Sequence, residues 1–164
     1  MKKILVLSDI HRAEATAVDI ISSNSDVDAI IFLGDGERSF ENALAECGID
    51  ICGERPEIYQ VAGNCDWTSR EAMMLVPEFE GVRICISHGH GNHVKSTDGI
   101  YSLASDAKAR DCTAAIFGHT HKQFYQIISG IKMFNPGAVM NGCYGIIEIN
   151  HGDASFVTMS VPLA

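Results

Sequence analysis

Six of the seven histidines in this chain fall in or just after short polar turns, and each turn closes an apolar run. The turns read Ser8-Asp9-Ile10-His11, Gly34-Asp35-Gly36, Gly63-Asn64-Cys65-Asp66, Ser87-His88-Gly89-His90 and Gly118-His119-Thr120-His121. Imidazole and carboxylate oxygen together suit first-row divalent ions such as Mn, Fe, Ni, Co and Zn. The chain has no C-x-x-C pair and no thiolate cluster, so a structural zinc site is not expected. Two carboxylates, one amide and several imidazoles exceed what one four-coordinate ion needs. They fit two ions that share a bridging group. Such a pair, ~3.5–4 Å apart, clamps the attacking and leaving oxygens in displacement at phosphorus.

Taken singly, these residues have ordinary structural readings. Asp9 could cap a following helix, Asp35 between two glycines is a common turn residue, and Asn64 suits an Asx-turn. What sets them apart is coincidence at the ends of five strand candidates. In open α/β sheets ligands bind outside the carboxyl ends of the strands, so five such turns are expected to converge on one rim. His119 and His121 flank Thr120 and would face one side together in an extended segment.

The elements that must position these turns are legible as well. Near-continuous apolar runs predict strands buried on both faces at Lys3 to Leu7 and Ala29 to Leu33. Further strands are expected at Ile58 to Ala62, Ile84 to Ile86 and Ala114 to Phe117. Helices are expected over Arg12 to Asn24, Ser39 to Cys47 and Asp98 to Arg110, with Ser39 as N-cap and Gly48 as stop for the second. Gln123 to Ile128 and Ile131 to Phe134 flank Ser129-Gly130 as a hairpin. Tyr144 to Asn150 and Ser155 to Val161 suggest another, around His151-Gly152-Asp153. The front half is therefore α/β and the back half largely antiparallel β.

Length and composition bound the rest. The chain has 164 residues, 46% hydrophobic and 20% charged, with mean hydropathy +0.09. At this size roughly 69% of the extended surface is buried on folding, enough for one core, so residues 1–164 are expected to form a single domain. The apolar content excludes intrinsic disorder. A net charge of −9 argues against stable binding to nucleic acid or anionic membrane, although bound cations can reverse the field locally. No segment approaches the ~18 apolar residues a membrane span needs, and the apolar stretch after Lys3 stops at Ser8-Asp9, short of a signal-peptide core. A cytoplasmic protein is expected. The six cysteines read as free thiols, with Cys85 plain core.

The motifs D-x-H, G-D, G-N-x-D, H-G-H and G-H-T-H, in that order, resemble those of the calcineurin-like metallophosphoesterase superfamily, in particular its small single-domain prokaryotic phosphodiesterase branch. The resemblance runs from Lys2 to about Gly137 and includes Asn135-Pro136-Gly137. It implies a four-layer α/β/β/α sandwich. It also implies a divalent-metal-dependent phosphoesterase, more a phosphodiesterase than a phosphomonoesterase, with a dinuclear centre and a metal-bridging hydroxide as nucleophile. Carried over by position, Asp9, His11 and His121 would hold the first ion, Asp35 would bridge, and Asn64, His88 and His119 would complete the second site. Two divalent ions are implied, Mn first among Fe, Ni, Co and Zn. The substrate implied is a small phosphoester, with nucleotides in its range; a homo-oligomer is compatible with the sequence.

One position departs from the pattern. Many members carry His after the motif Asn, where it protonates the leaving group; here that residue is Cys65. A thiol is a poorer acid near neutral pH than imidazole, so good leaving groups are favoured unless another donor serves. His90 is the nearest candidate. Cys65, His90 and Asp66 form the expected catalytic set, with Asp66 either orienting the Cys65 turn or capping a helix. Trp67 follows directly and could meet a substrate ring or simply pack. His93 and His151 read as surface residues. The alternative from another class is a catalytically weak metal-binding scaffold for protein–protein interaction, a role in which ligands can be lost without penalty; here all seven ligand positions are filled.

Overall fold

Strand alternation sorts the apolar residues into three separate layers. In β1 (Lys2–Leu7), Ile4 and Val6 point one way and Leu5 and Leu7 the other, and all four are fully buried. Ile4 and Val6 join Ile31, Ile84, Ile86, Ile116, Phe134 and Ile147 in a core between two sheets. Leu5 and Leu7 pack against Ala17, Ile20, Ile21, Phe40 and Leu44 of two helices. On the far side, Cys85, Ala115 and Met133 meet Leu103, Ala104 and Ala107 of a third helix. The result is four layers, helix, sheet, sheet and helix, as the motif resemblance implied. The computed structural model describes residues 1–163.

The first sheet contains β1, β2 (Ala29–Phe32), β3 (Glu57–Gln60), β10 (Cys143–Asn150) and β11 (Asp153–Ser160) in the order β11-β10-β1-β2-β3. Its β1-β2-β3 part is parallel, while β10 and β11 run antiparallel. Helices α1 (Glu14–Ser23) and α2 (Glu37–Glu46) cover its outer face. The second sheet has the order β4-β6-β7-β9-β8, with β5 also on β6. Its strands are β4 (Met74–Leu75), β5 (Glu78–Phe79), β6 (Val82–Ser87), β7 (Ala114–Ile116), β8 (Gln123–Ile128) and β9 (Ile131–Pro136). Here β6, β7 and β9 are parallel, and α3 (Thr97–Ala109) lies outside them. No helix among the described residues is long and apolar enough to cross a membrane.

Several boundaries differ from the sequence expectation. Helix α1 begins at Glu14 rather than Arg12, because His11 is bound into a turn by its amide to Asp35 O and sits at φ +50°. Helix α2 begins at Glu37, so Ser39 is not its cap; the Ser39 hydroxyl donates to the His11 carbonyl instead. Gly48 does close α2, in the left-handed conformation that a β-carbon disfavours. Strands β4 and β5 are two residues each and carry no readable period. Both hairpins turn as expected: Ser129-Gly130 and His151-Gly152 each have two positive φ angles, as a two-residue type I′ turn requires. All six cysteines are free, Cys85 among the buried ones.

Candidate metal centre

The carboxyl ends of β1, β2, β3, β6 and β7 meet along one rim where the two sheets adjoin. Cross-sheet hydrogen bonds fix that meeting: Nδ1 of His88 donates to the Leu33 carbonyl (2.7 Å) and the Val139 amide to the Ser8 carbonyl (2.9 Å). Five rim residues, Asp9, His11, Asp35, His119 and His121, are non-glycine residues at positive φ. Each such conformation costs on the order of 1 kcal/mol, a strain that clusters where side chains must be aimed. The backbone at Gly63 lies so close to Asp35 that a β-carbon there would fall on the Asp35 side chain.

Each carboxylate has one oxygen anchored and one free. Oδ2 of the fully buried Asp9 accepts from Ser8 Oγ (2.5 Å) and the His119 amide (3.1 Å). Its Oδ1 lies 3.0 Å from His121 Nε2 and 3.9 Å from His11 Nε2, with no hydrogen bond to either. Oδ1 of Asp35 accepts from the Cys65 amide (2.7 Å). Its Oδ2 lies 3.3 Å from His88 Nε2 and 4.0 Å from His11 Nε2, between the two groups. Because His88 Nδ1 is committed to Leu33, its Nε2 is left facing the rim, 3.0 Å from Asn64 Oδ1.

The donor atoms form two trios, Asp9-His11-His121 and Asp35-His88-His119, each within 4.8 Å. A third grouping, His11-Asp35-Cys65, overlaps both. Asp9 Oδ1 and His11 Nε2 are buried without any hydrogen-bond partner. A buried carboxylate oxygen left bare is costly, and a bound cation removes that cost. The residues present therefore fit divalent ions. His119 and His121 do not lie on one face of an extended segment: both have positive φ, which sends His119 to Asp35 and His88 and His121 to Asp9 and His11.

Electrostatics follow from burial and these neighbours. Burial opposes ionisation of Asp35, but His88 beside it and the Cys65 amide outweigh that and hold its carboxyl well below the usual range. Burial also works against a charged His88, yet the Asp35 hydrogen bond and the charges of Asp9 and Asp35 raise its pKa above 6.5. Burial, then His88 and Lys95, push His119 down to about 4, so it is neutral and able to ligate at neutral pH. The signs are opposite for stability of the metal-free protein. The depressed Asp35 stabilises above 3.8 and is lost as pH falls through its folded value; the raised His88 stabilises below 6.5 and is lost as pH rises through its own. His119 and His90, both lowered in the folded chain, oppose His88: the unfolded chain takes up their protons below 6.5 and the folded chain does not, so they weaken the fold as pH falls. Thermal denaturation in EDTA is thus expected to show stability falling from neutral pH towards pH 4, and a maximum at or below pH 4 would contradict these assignments.

The other expected residues are placed as follows. Asp66 accepts four backbone amides, from Asp35 (2.7 Å), Gly63 (3.0 Å), Gly36 (2.8 Å) and Glu37 (3.1 Å). It both orders the Cys65 turn and caps α2, and those bonds occupy its carboxylate. Cys65 is exposed on the rim, with Sγ 3.4 Å from Asn64 Nδ2; burial, then Asp35, Asp66 and Asp9, keep its thiol protonated. His90 stands on the other side, its ring centroid 5.4 Å from that of His88 and 6.2 Å from that of His119, with a buried Nδ1 that has no partner. His93 and His151 are exposed. Two positioning residues escaped the sequence reading. Ser8 anchors Asp9, and buried Asn135 donates to Gly118 O (2.9 Å) and Thr120 Oγ1 (3.0 Å), holding the turn that carries His119 and His121. The Asn135-Pro136-Gly137 segment was the available signal for the second.

Comparison with known proteins agrees with this arrangement. The family model for the calcineurin-like phosphoesterase superfamily domain matches residues 1–154. A probable metallophosphoesterase of Mycoplasma pneumoniae is 30% identical over 142 residues, which is 85% of this chain and 80% of that protein. The crystal structure of a predicted phosphoesterase from Streptococcus pneumoniae superposes with TM-score 0.78 at 22% identity, covering 97% of this chain and 89% of that one. The structure of a novel archaeal phosphodiesterase has TM-score 0.67 at 19% identity, with coverage of 96% and 99%.

Proposed function

The chain belongs to the calcineurin-like phosphoesterase superfamily, and from that premise we propose that it hydrolyses phosphodiesters at a centre of two divalent ions. The observation that carries this reading is the pair of donor trios with the free oxygen of Asp35 between them. In this reading Asp9, His11 and His121 would hold one ion and Asn64, His88 and His119 the other, with Asp35 placed to serve both. When bound, such ions neutralise phosphoryl oxygens and bring the pKa of water near 7. Manganese suits the mixture of carboxylate, amide and imidazole donors, as do Fe, Co, Ni and Zn to differing degrees.

The chain's own groups supply orientation. The Leu33 carbonyl fixes the His88 tautomer, the Cys65 amide turns Asp35, and Ser8 with the His119 amide turns Asp9. Asp66 acts as a positioning residue, since its carboxylate is filled by backbone amides. Proton delivery to the leaving oxygen is the weak part of the site. The Cys65 thiol is raised in pKa and His90 is lowered by burial and by His88. Neither is tuned as a strong acid near pH 7, and a well-placed acid is worth ~10²–10⁴-fold.

Two rate comparisons test this. The Mn-loaded protein is expected to cleave bis(p-nitrophenyl) phosphate faster than p-nitrophenyl phosphate, and the reverse order would make it a phosphomonoesterase. Aryl diesters are expected to exceed dialkyl diesters by about the full intrinsic difference between the two leaving groups, because no acid narrows it. A ratio smaller than that of the uncatalysed reactions by ~10²-fold or more would mean that an effective acid is present.

A further inference from the structure

Resting on the phosphodiesterase reading, we propose that the cavity beside His11 and Cys65 binds a flat aromatic arm of the ester, above all a nucleobase, stacked on Trp67. The cavity is about 510 Å³ and is lined by His11, Arg38, Glu41, Cys65, Asp66 and Trp67 among others. That volume lies in the range of small-molecule sites, and the cavity opens directly on a residue of the first donor trio. Arg12 lines the adjoining recess with His11 and Cys65.

Trp67 is 91% exposed, an unusual position for the largest apolar side chain, and it is the one tryptophan in the sequence. Its backbone is fixed relative to the rim. The preceding Asp66 is tied by its carboxylate to four amides, and the following turn is closed by the Ser69 amide on the Asp66 carbonyl (3.0 Å). An exposed ring at the mouth of a polar cavity offers a stacking face that any base can use. Arg12 and Arg38 are the basic groups on this side and are outnumbered by Glu37, Glu41 and Asp66, so the cavity is not an anion site and recognition falls to the ring face, with the phosphate end left to the rim. Glu41 offers an acceptor for an exocyclic amine or a sugar hydroxyl.

The single tryptophan makes the test direct. The Mn-loaded protein is titrated with adenosine 5′-monophosphate and, separately, with methyl phosphate, which carries the phosphate without a base. Saturable quenching of tryptophan fluorescence by the nucleotide alone is expected. By calorimetry, Trp67→Phe should bind the nucleotide within about threefold of the unaltered protein, and Trp67→Ala roughly tenfold more weakly. No saturable quenching, or equal affinity in Trp67→Ala, overturns the proposal. The readout does not depend on turnover. Quenching without hydrolysis of any diester would uphold the pocket and remove the phosphodiesterase reading, whereas hydrolysis without quenching would do the reverse.

Discussion

Replacing Asp35 with Asn is expected to lower metal-dependent phosphodiester hydrolysis by on the order of 10³-fold or more, while leaving the fold intact. The two oxygens of Asp35 have separate tasks. Oδ1 accepts the Cys65 amide at 2.7 Å, a bond an amide oxygen can also accept, so the turn after β3 should persist. Oδ2 faces His88 Nε2 at 3.3 Å and His11 Nε2 at 4.0 Å. An NH₂ group there would present donors to cations and remove the shared negative charge. His88 and the Cys65 amide hold the Asp35 carboxyl below its usual range against burial, so the group lost in the variant is an ionised carboxylate. Circular dichroism should be unchanged, and wild-type turnover in the variant would remove Asp35 from the centre.

The second large effect is on stability. Without cations, Asp9 Oδ1 and His11 Nε2 are buried and unpaired, and Asp9 and Asp35 add two nearly inaccessible carboxylates to the same rim. An ion that binds only the folded chain stabilises by ~4 kcal/mol at a thousand times its dissociation constant. For a chain of this length each kcal/mol moves the melting temperature by about 2–4 °C. Saturating Mn(II) is therefore expected to raise the melting temperature of EDTA-stripped protein by roughly 10 °C. The shift should be smaller for Asp35→Asn, which keeps the Asp9-His11-His121 trio but loses the carboxylate between the two trios. A melting temperature indifferent to every divalent ion would mean that the unpaired atoms are satisfied in some other way.

How far the sequence discloses this site depends on how local each determinant is. The apolar runs of β1 and β2 and the polar turns that end them are contiguous, so both strands and the convergence of their turns can be read directly. The same holds for the two hairpins, whose turns need only two residues at positive φ. What is not legible is set by partners distant in the chain. The start of α2 is fixed by Asp66, about thirty residues downstream, rather than by Ser39. The His119–His121 turn is shaped by Asp9 and Asn135, which lie on other strands, and so it is not the extended segment that alternation suggests. Ser8 has the same character: a small hydroxyl at a strand end carries no signal until the fold sets it against Asp9.

The division between Cys65 and His90 illustrates the limit in another way. Both are candidates for the leaving-group proton from sequence, and the structure groups them differently, Cys65 with His11 and Asp35, His90 beside His88 and His119. Only Cys65 lines the cavity that carries Trp67. An ester arm held on Trp67 would thus lie beside the thiol and away from His90, and the reactivity of the arm itself then decides the rate.

The most direct test is hydrolysis of bis(p-nitrophenyl) phosphate by EDTA-stripped protein, before and after Mn(II) is returned, with Asp35→Asn run in parallel. The stripped protein should be inactive, the reloaded protein active, and the reloaded variant inactive. A stripped protein that stays inactive with Mn, Fe, Co, Ni and Zn alike would contradict the account and leave a metal-binding scaffold in its place.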